Sequence, residues 1–379
     1  MSEYQYHEWQ ILERPLTAAE QKAVNELSSH IDVTSTHASV TYNWSSFRHD
    51  PIDVLAKYFD AYLYLANWGT RCLAFRFPKG SVDVVAIEAY CDEYHTNIKT
   101  VGDAQILEFD MDEEEGFDEW IDERGLLSTL AHLRDDIIQG DYRILYLAWL
   151  KAMTLESGGY DEDEADPDNF FNDPEPALPA GLKQLTPPLN AFMDFFEIDP
   201  FLVAAAAELS LSLSSTQQAD FAPMISRLTR QECDEFLFKI VNSEPGAVAS
   251  LRNKLSSFEK PKPSMQSIPR TFGELLEAAE ILRRAEAKRQ TDEKRKKHIA
   301  EMQELAKREA QTWQDIETTL KSGYTASNYD YATTLLDKLQ QLAEFQGTES
   351  NFDVRLRAFV EEYKGRSALI GRWKKKGWV

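Results

Sequence analysis

Residues 271–322 read TFGELLEAAEILRRAEAKRQTDEKRKKHIAEMQELAKREAQTWQDIETTLKS. No proline interrupts the run and nearly every position is a strong helix former, so it predicts one helix over 270–322. Such a helix would be about 75 Å long at its usual rise per residue, longer than a domain of this size is wide. It must therefore project, fold back or dimerise. Its first turns space Leu275, Ala278, Leu282 and Ala285 by three and four. Its last turns do the same with Ile299, Met302, Ala306, Glu309, Trp313, Ile316 and Leu320, a heptad seam with one polar slot at Glu309.

Between these seams, residues 286–298 offer only Ala287 as an apolar side chain. Lys288, Arg289, Lys294, Arg295, Lys296 and Lys297 stand there against Glu286, Asp292 and Glu293. Three readings follow: a solvated helix joining two packed ends, a basic surface that docks nucleic acid or an acidic protein face, or a break in the helix.

Downstream, residues 329–346 place Ala332, Leu335, Leu336, Leu339 and Ala343 on one helical face, and 352–363 do so with Leu356, Phe359 and Val360. Gly347 and Gly365 follow as stop signals, so 323–379 reads as an antiparallel helical pair with the last seam of the long helix as its third member. The terminus combines Arg372, Lys374, Lys375 and Lys376 with Trp373 and Trp378. It reads as a frayed tail or as a docking tag for an acidic groove or phosphate backbone.

Upstream, Pro261, Pro263 and Pro269 make 259–269 an extended linker. Residues 189–258 carry helical patterns at 189–196, 199–209, 219–241 and 245–258. Residues 157–188 hold six prolines and the acidic run 161–168, an acidic proline-rich loop that could shield the basic helix. In 113–156, Leu126, Leu127, Leu130, Leu133 and Ile137 form one apolar face and 142–153 a second helix, with Gly140 and Asp141 turning a hairpin between them.

Residues 1–112 alternate strand and helix signals. Thr17 with Glu20 three positions on is a capping box, and Asp50 and Pro51 open another helix. The order β-α-β-(α)-β-α-β predicts an α+β fold: an N-terminal ferredoxin-like (split βαβ) sandwich, then a mostly α-helical region with a long helix or coiled-coil segment. Tyr4, Tyr6, Phe75 and Phe77 could form a base-stacking platform, but residues 1–102 sum to −5 and lack the glycine-containing motif, so burial of these aromatics under the helical half is preferred.

The 379 residues are 43% hydrophobic, enough for two or three cored domains. No apolar run approaches a membrane span, and the opening MSEYQYHEWQ is acidic where a secretory signal would be basic and then apolar, so a cytoplasmic protein is expected. Cys72, Cys91 and Cys233 are widely spaced, which argues against a disulfide framework or a cysteine zinc site. Of the net −23, residues 103–123 and 155–180 supply 11 and 9 acidic side chains with no basic one. The remainder is nearly balanced, which leaves a local contact to phosphate open.

Chemistry-bearing motifs are sparse. Neither a phosphate-cradling glycine loop, a G-x-S-x-G elbow nor H-E-x-x-H occurs, and no two histidines fall three to five apart. Cys72 and Cys91 with His95 are the nearest approach to a thiol–imidazole site. The acidic runs miss the glycine and glutamate positions of a calcium loop. No catalytic residue, cofactor or metal is therefore assigned.

The opening MSEYQYHEWQILERPLTAAE and YFDAYLYLANWGTR at 58–71, together with the arginine- and alanine-rich long helix and the closing helical pair, resemble a family of bacterial proteins of undetermined function that share this beginning. The resemblance covers most of the chain and implies a bacterial source, but brings no catalytic residues. The expectation is a non-enzymatic interaction or adaptor protein that docks a protein partner through its long helix and basic end, with dimerisation through that helix as an option. The alternatives are a nucleic-acid-associated factor using the same basic residues, and an enzyme with an unrecognised site in the N-terminal domain.

Overall fold

Strand β1 (Gln5–Gln10) lies inside a sheet, not at its edge, because both its flanks are hydrogen-bonded. The computed structural model describes residues 3–92, 94–113, 123–158, 171–212, 221–242, 247–256, 258 and 265–379. The chain divides into two units, Met1–Arg283 and Arg284–Val379.

In the first unit, α1 (Ala18–Asn25) starts at the expected box, with Thr17 and Glu20 capping each other's backbone amides. Strands β2 (Asp32–Val33) and β3 (His37–Tyr42) follow, then α2 (Pro51–Tyr58) capped by Asp50. Next come β4 (Ala61–Ala66), β5 (Thr70–Pro78), the short α3 (Val84–Glu88), β6 (Thr96–Val101) and β7 (Ala104–Asp112). Among the described residues they form a seven-stranded sheet in the order β2-β3-β1-β4-β5-β7-β6.

The α+β class holds, but the ferredoxin-like expectation needs correcting. A split βαβ unit carries a parallel strand pair at its centre, and every pairing in this sheet is antiparallel. The sequence reading passed over β4. Its residues AYLYLA are buried on both faces and show no polar alternation, and no glycine or proline separates the strand from α2.

The sheet sits between two apolar layers. On β5, Leu73, Phe75 and Phe77 face a core they share with Phe109, Leu127, Leu145 and Phe192, while Cys72 and Ala74 face Trp9, Tyr62 and Ile106. Helices α4 (Leu126–Leu130), α5 (His132–Ile138), α6 (Arg143–Gly158), α7 (Pro187–Phe195) and α8 (Pro200–Leu209) supply the larger core. Phe75 and Phe77 are fully buried there, as preferred over base stacking; full burial of such a ring is worth about 1.5–3 kcal/mol.

Helices α9 (Phe221–Ile225), α10 (Arg230–Val241) and α11 (Ala247–Ser256) come next; where one helix was expected over 219–241, Thr229 starts a new one with its own capping box. Strand β8 (Leu178–Pro179) pairs with β9 (Met265–Gln266). The described end of the expected linker is therefore docked, and so is the end of the proline-rich segment beside it. The acidic run 161–168 and its shielding role lie outside the described residues.

Helix α12 (Phe272–Lys307) and α13 (Glu309–Ser322) replace the single helix expected over 270–322. The interruption falls at Arg308, whose backbone leaves the helical region (φ −114, ψ 11). In the second unit α13 packs with α14 (Ala326–Gln346), α15 (Glu349–Tyr363) and α16 (Ser367–Lys375). Their core joins Met302, Trp313, Ile316 and Leu320 to Leu336, Leu339, Phe359 and Trp373. The second seam of the sequence pattern thus closes on the chain's own helices. The terminus is not a frayed tail: Trp373 is fully buried and the Trp378 indole donates to the Gln340 side chain.

Candidate functional site

The basic turns of α12 are exposed on every side. No residue between Ala279 and Met302 is buried, and the tertiary contacts of this stretch lie near its two ends, where Leu282 packs against the larger core, Arg283 lies over the Phe201 ring and the His298 ring meets Phe345 edge-on. It is held by helix propensity and by pairs one turn apart, such as Arg289 with Glu286 at 2.8 Å and Arg283 with Glu280 at 2.6 Å. Lys288, Lys294, Arg295, Lys296 and Lys297 are exposed and have no ion-pair partner among the described residues.

The terminal cations are placed differently. Arg372 bonds Asp330 at 2.6 Å and lies over the Tyr329 ring, and Lys376 bonds Asp337 at 2.7 Å; all three partners belong to α14. Lys374 and Lys375 are exposed. The two groups named from the sequence therefore differ in kind: the cations of α12 are largely uncommitted, and half of the terminal set fastens α16 to its neighbour.

In the first unit, Cys72 packs in the smaller core and Cys91 against the larger one, on opposite sides of the sheet. Burial pushes both thiols up, Cys91 to about 12, so neither is a ready nucleophile. The His95 ring faces Asp92 at 3.6 Å and Glu156 at 3.9 Å, and the Asp92 carboxylate beside it raises its pKa.

Two constellations escaped the sequence reading. His7 on β1 sits among Trp9, Phe47, Tyr62 and Tyr64, its Nδ1 2.9 Å from the Tyr62 hydroxyl and its buried Nε2 without a hydrogen-bond partner among the described residues. Burial lowers its pKa to about 4. Strand alternation was the available signal, since Gln5, His7 and Trp9 share one face.

The second is a cleft of about 510 Å³ lined by Glu13, Arg14, Lys57, Tyr58, Asp60, Arg76, Lys239 and Ser250, among others. Asp60 is its hinge point. One carboxylate oxygen accepts the amides of Leu12 (2.7 Å) and Glu13 (3.1 Å), and the other accepts Arg76 Nη1 (3.1 Å). Arg76 Nε donates to the Ala56 carbonyl, and buried Arg134 ties Glu13 (2.6 Å) to the Arg76 carbonyl (2.7 Å). No sequence motif marks these residues, because their spacing from 13 to 250 has meaning only once the sheet is formed. Among the described residues no group of three or more metal-ligating side chains converges, and no helix is long and apolar enough to cross a membrane. No family model matches the chain, and no curated protein or solved structure matches it.

Proposed function

We propose that the chain is a cytosolic, non-enzymatic interaction protein that docks an acidic partner protein on the exposed turns of α12. What supports this reading is the burial along that helix. A stretch with no apolar face to hide and four consecutive cations, Lys294 to Lys297, is a surface presented to something else. The docking set on α12 is Lys288, Lys294, Arg295, Lys296 and Lys297; Arg289 leaves it because it pairs with Glu286, and Arg372 and Lys376 because they serve α14, while Lys374 and Lys375 stand apart from it near the terminus. Three free cysteines are in keeping with a reducing compartment.

The test compares the full chain with a variant carrying Lys294→Glu, Arg295→Glu, Lys296→Glu and Lys297→Glu, both used to capture partners from host extract with and without nuclease. Stoichiometric capture of one protein that survives nuclease and is lost in the variant is the expected result. Equal capture by both proteins would sink the assignment. Recovery of nucleic acid, lost at moderate salt, would overturn it in favour of a nucleic-acid-associated factor.

A further inference from the structure

The lining of the cleft beside Asp60 carries net positive charge in an otherwise acidic chain. Glu13 and Asp60 stand against Arg14, Lys57, Arg76 and Lys239, an excess of two. Arg134, tied to Glu13, and Glu20, tied to Arg14 at 2.6 Å, add one charge of each sign behind the wall and leave the excess unchanged.

The internal pairs account for the acids and not for the bases. Asp60 is fixed by two backbone amides and Arg76. Arg76 spends Nε on the Ala56 carbonyl and Nη1 on Asp60, and its Nη2 has no acceptor among the described residues. Lys57 and Lys239 have no ion-pair partner among the described residues, only the faces of Tyr58 and Phe236 at 4.8 and 5.7 Å. Each lysine occupies the last turn of its helix, α2 or α10. A helix end offers it about half an elementary charge, so roughly one full positive charge stays uncompensated, along with a free guanidinium edge.

Ile11, Pro15, Tyr58 and Ala247 complete the walls with apolar surface. The volume falls within the range of small-molecule sites. We propose that this cleft binds a small organic phosphate monoester. Its phosphate, with about −1.5 to −2 charges, sits between Lys57, Lys239 and the Arg76 Nη2 edge, and its carbon framework lies against Tyr58 and Pro15. The planar guanidinium fork suits the phosphate oxygens, and the two lysines serve as point charges. This site is independent of the exposed turns of α12.

The experiment is calorimetric titration of the full chain with phenyl phosphate, inorganic phosphate and benzoate at fixed ionic strength. One saturable phenyl phosphate site is expected, with inorganic phosphate weaker and benzoate weakest. The Lys57→Gln/Lys239→Gln double variant should lose at least tenfold in affinity with an unchanged melting temperature. Ser250→Trp, which fills the cleft from α11 and keeps both lysines, should also abolish binding. No saturable binding at millimolar phenyl phosphate, equal binding by either variant, or benzoate binding as tightly as phenyl phosphate would each overturn the proposal.

Discussion

The Arg270 guanidinium closes on the Glu175 carboxylate from 95 positions away, with Nη2 2.9 Å from Oε1 and Nε bonded to Oε2. The Glu175 side chain is entirely buried, and the Tyr146 hydroxyl donates to the same carboxylate. This pair fastens the start of α12 to the segment before β8, next to the bridge between Pro174 and Thr271. Glu175→Ala would strand a buried guanidinium and should cost about 3–5 kcal/mol of first-unit stability, read by urea denaturation. A loss under 1 kcal/mol would mean that water reaches the pair.

His7 predicts a pH dependence. Its folded pKa of about 4 lies below the ordinary histidine value, so the unfolded chain takes up the proton first as pH falls. Its neutral form costs nothing above about pH 6.5; between there and about pH 4 the fold should lose on the order of 3 kcal/mol, and below that the loss is complete. His7→Gln should flatten this acid limb in denaturation measured from pH 7 to 4. An unchanged limb would place the titrating group elsewhere.

Trp373 makes the terminus part of the second unit's core. It is fully buried, and its Nε1 has no acceptor among the described residues. Trp373→Ala should destabilise the second unit by about 3–5 kcal/mol. Trp373→Phe should cost less than half as much, because it removes a stranded N–H along with the extra ring. Thermal unfolding of the two variants would separate these outcomes.

The exposed turns of α12 are held by helix propensity and by pairs one turn apart. Ala287→Gly should cost about 1 kcal/mol locally, seen as faster amide hydrogen exchange around residues 284–298. The urea midpoint of the first unit should not move. A shifted midpoint would show that this stretch is coupled to the core after all.

Much of this architecture was written in local signals. Thr17 with Glu20, Asp50 with Pro51, and the apolar faces of the helices around Leu336 and Phe359 all act within a few residues, so the chain declares them. Other features depended on distant partners. β4 was passed over because a strand covered on both sides shows no alternation, and the break at Arg308 because helix formers continue straight through it. Arg372 and Lys376 read as a docking tag because Asp330 and Asp337 lie 42 and 39 positions earlier. The cleft residues were invisible for the same reason, being drawn from both ends of the first unit.

Strand β5 carries Arg71 and Arg76 into opposite layers of the sheet. Arg71 reaches the Phe195 carbonyl and Glu197 (2.9 Å) on the side of the larger core, and Arg76 reaches Asp60 and Ala56 on the other. The five-residue offset is odd, so the strand works as a counter as well as a wall. Inserting or deleting one residue between them would leave one guanidinium correctly placed and drive the other into the wrong layer, exchanging Leu73 and Phe75 with Cys72 and Ala74 on the way. Point changes along β5 can be absorbed one at a time, but a change in its length cannot, and variation in this protein's length should fall outside it.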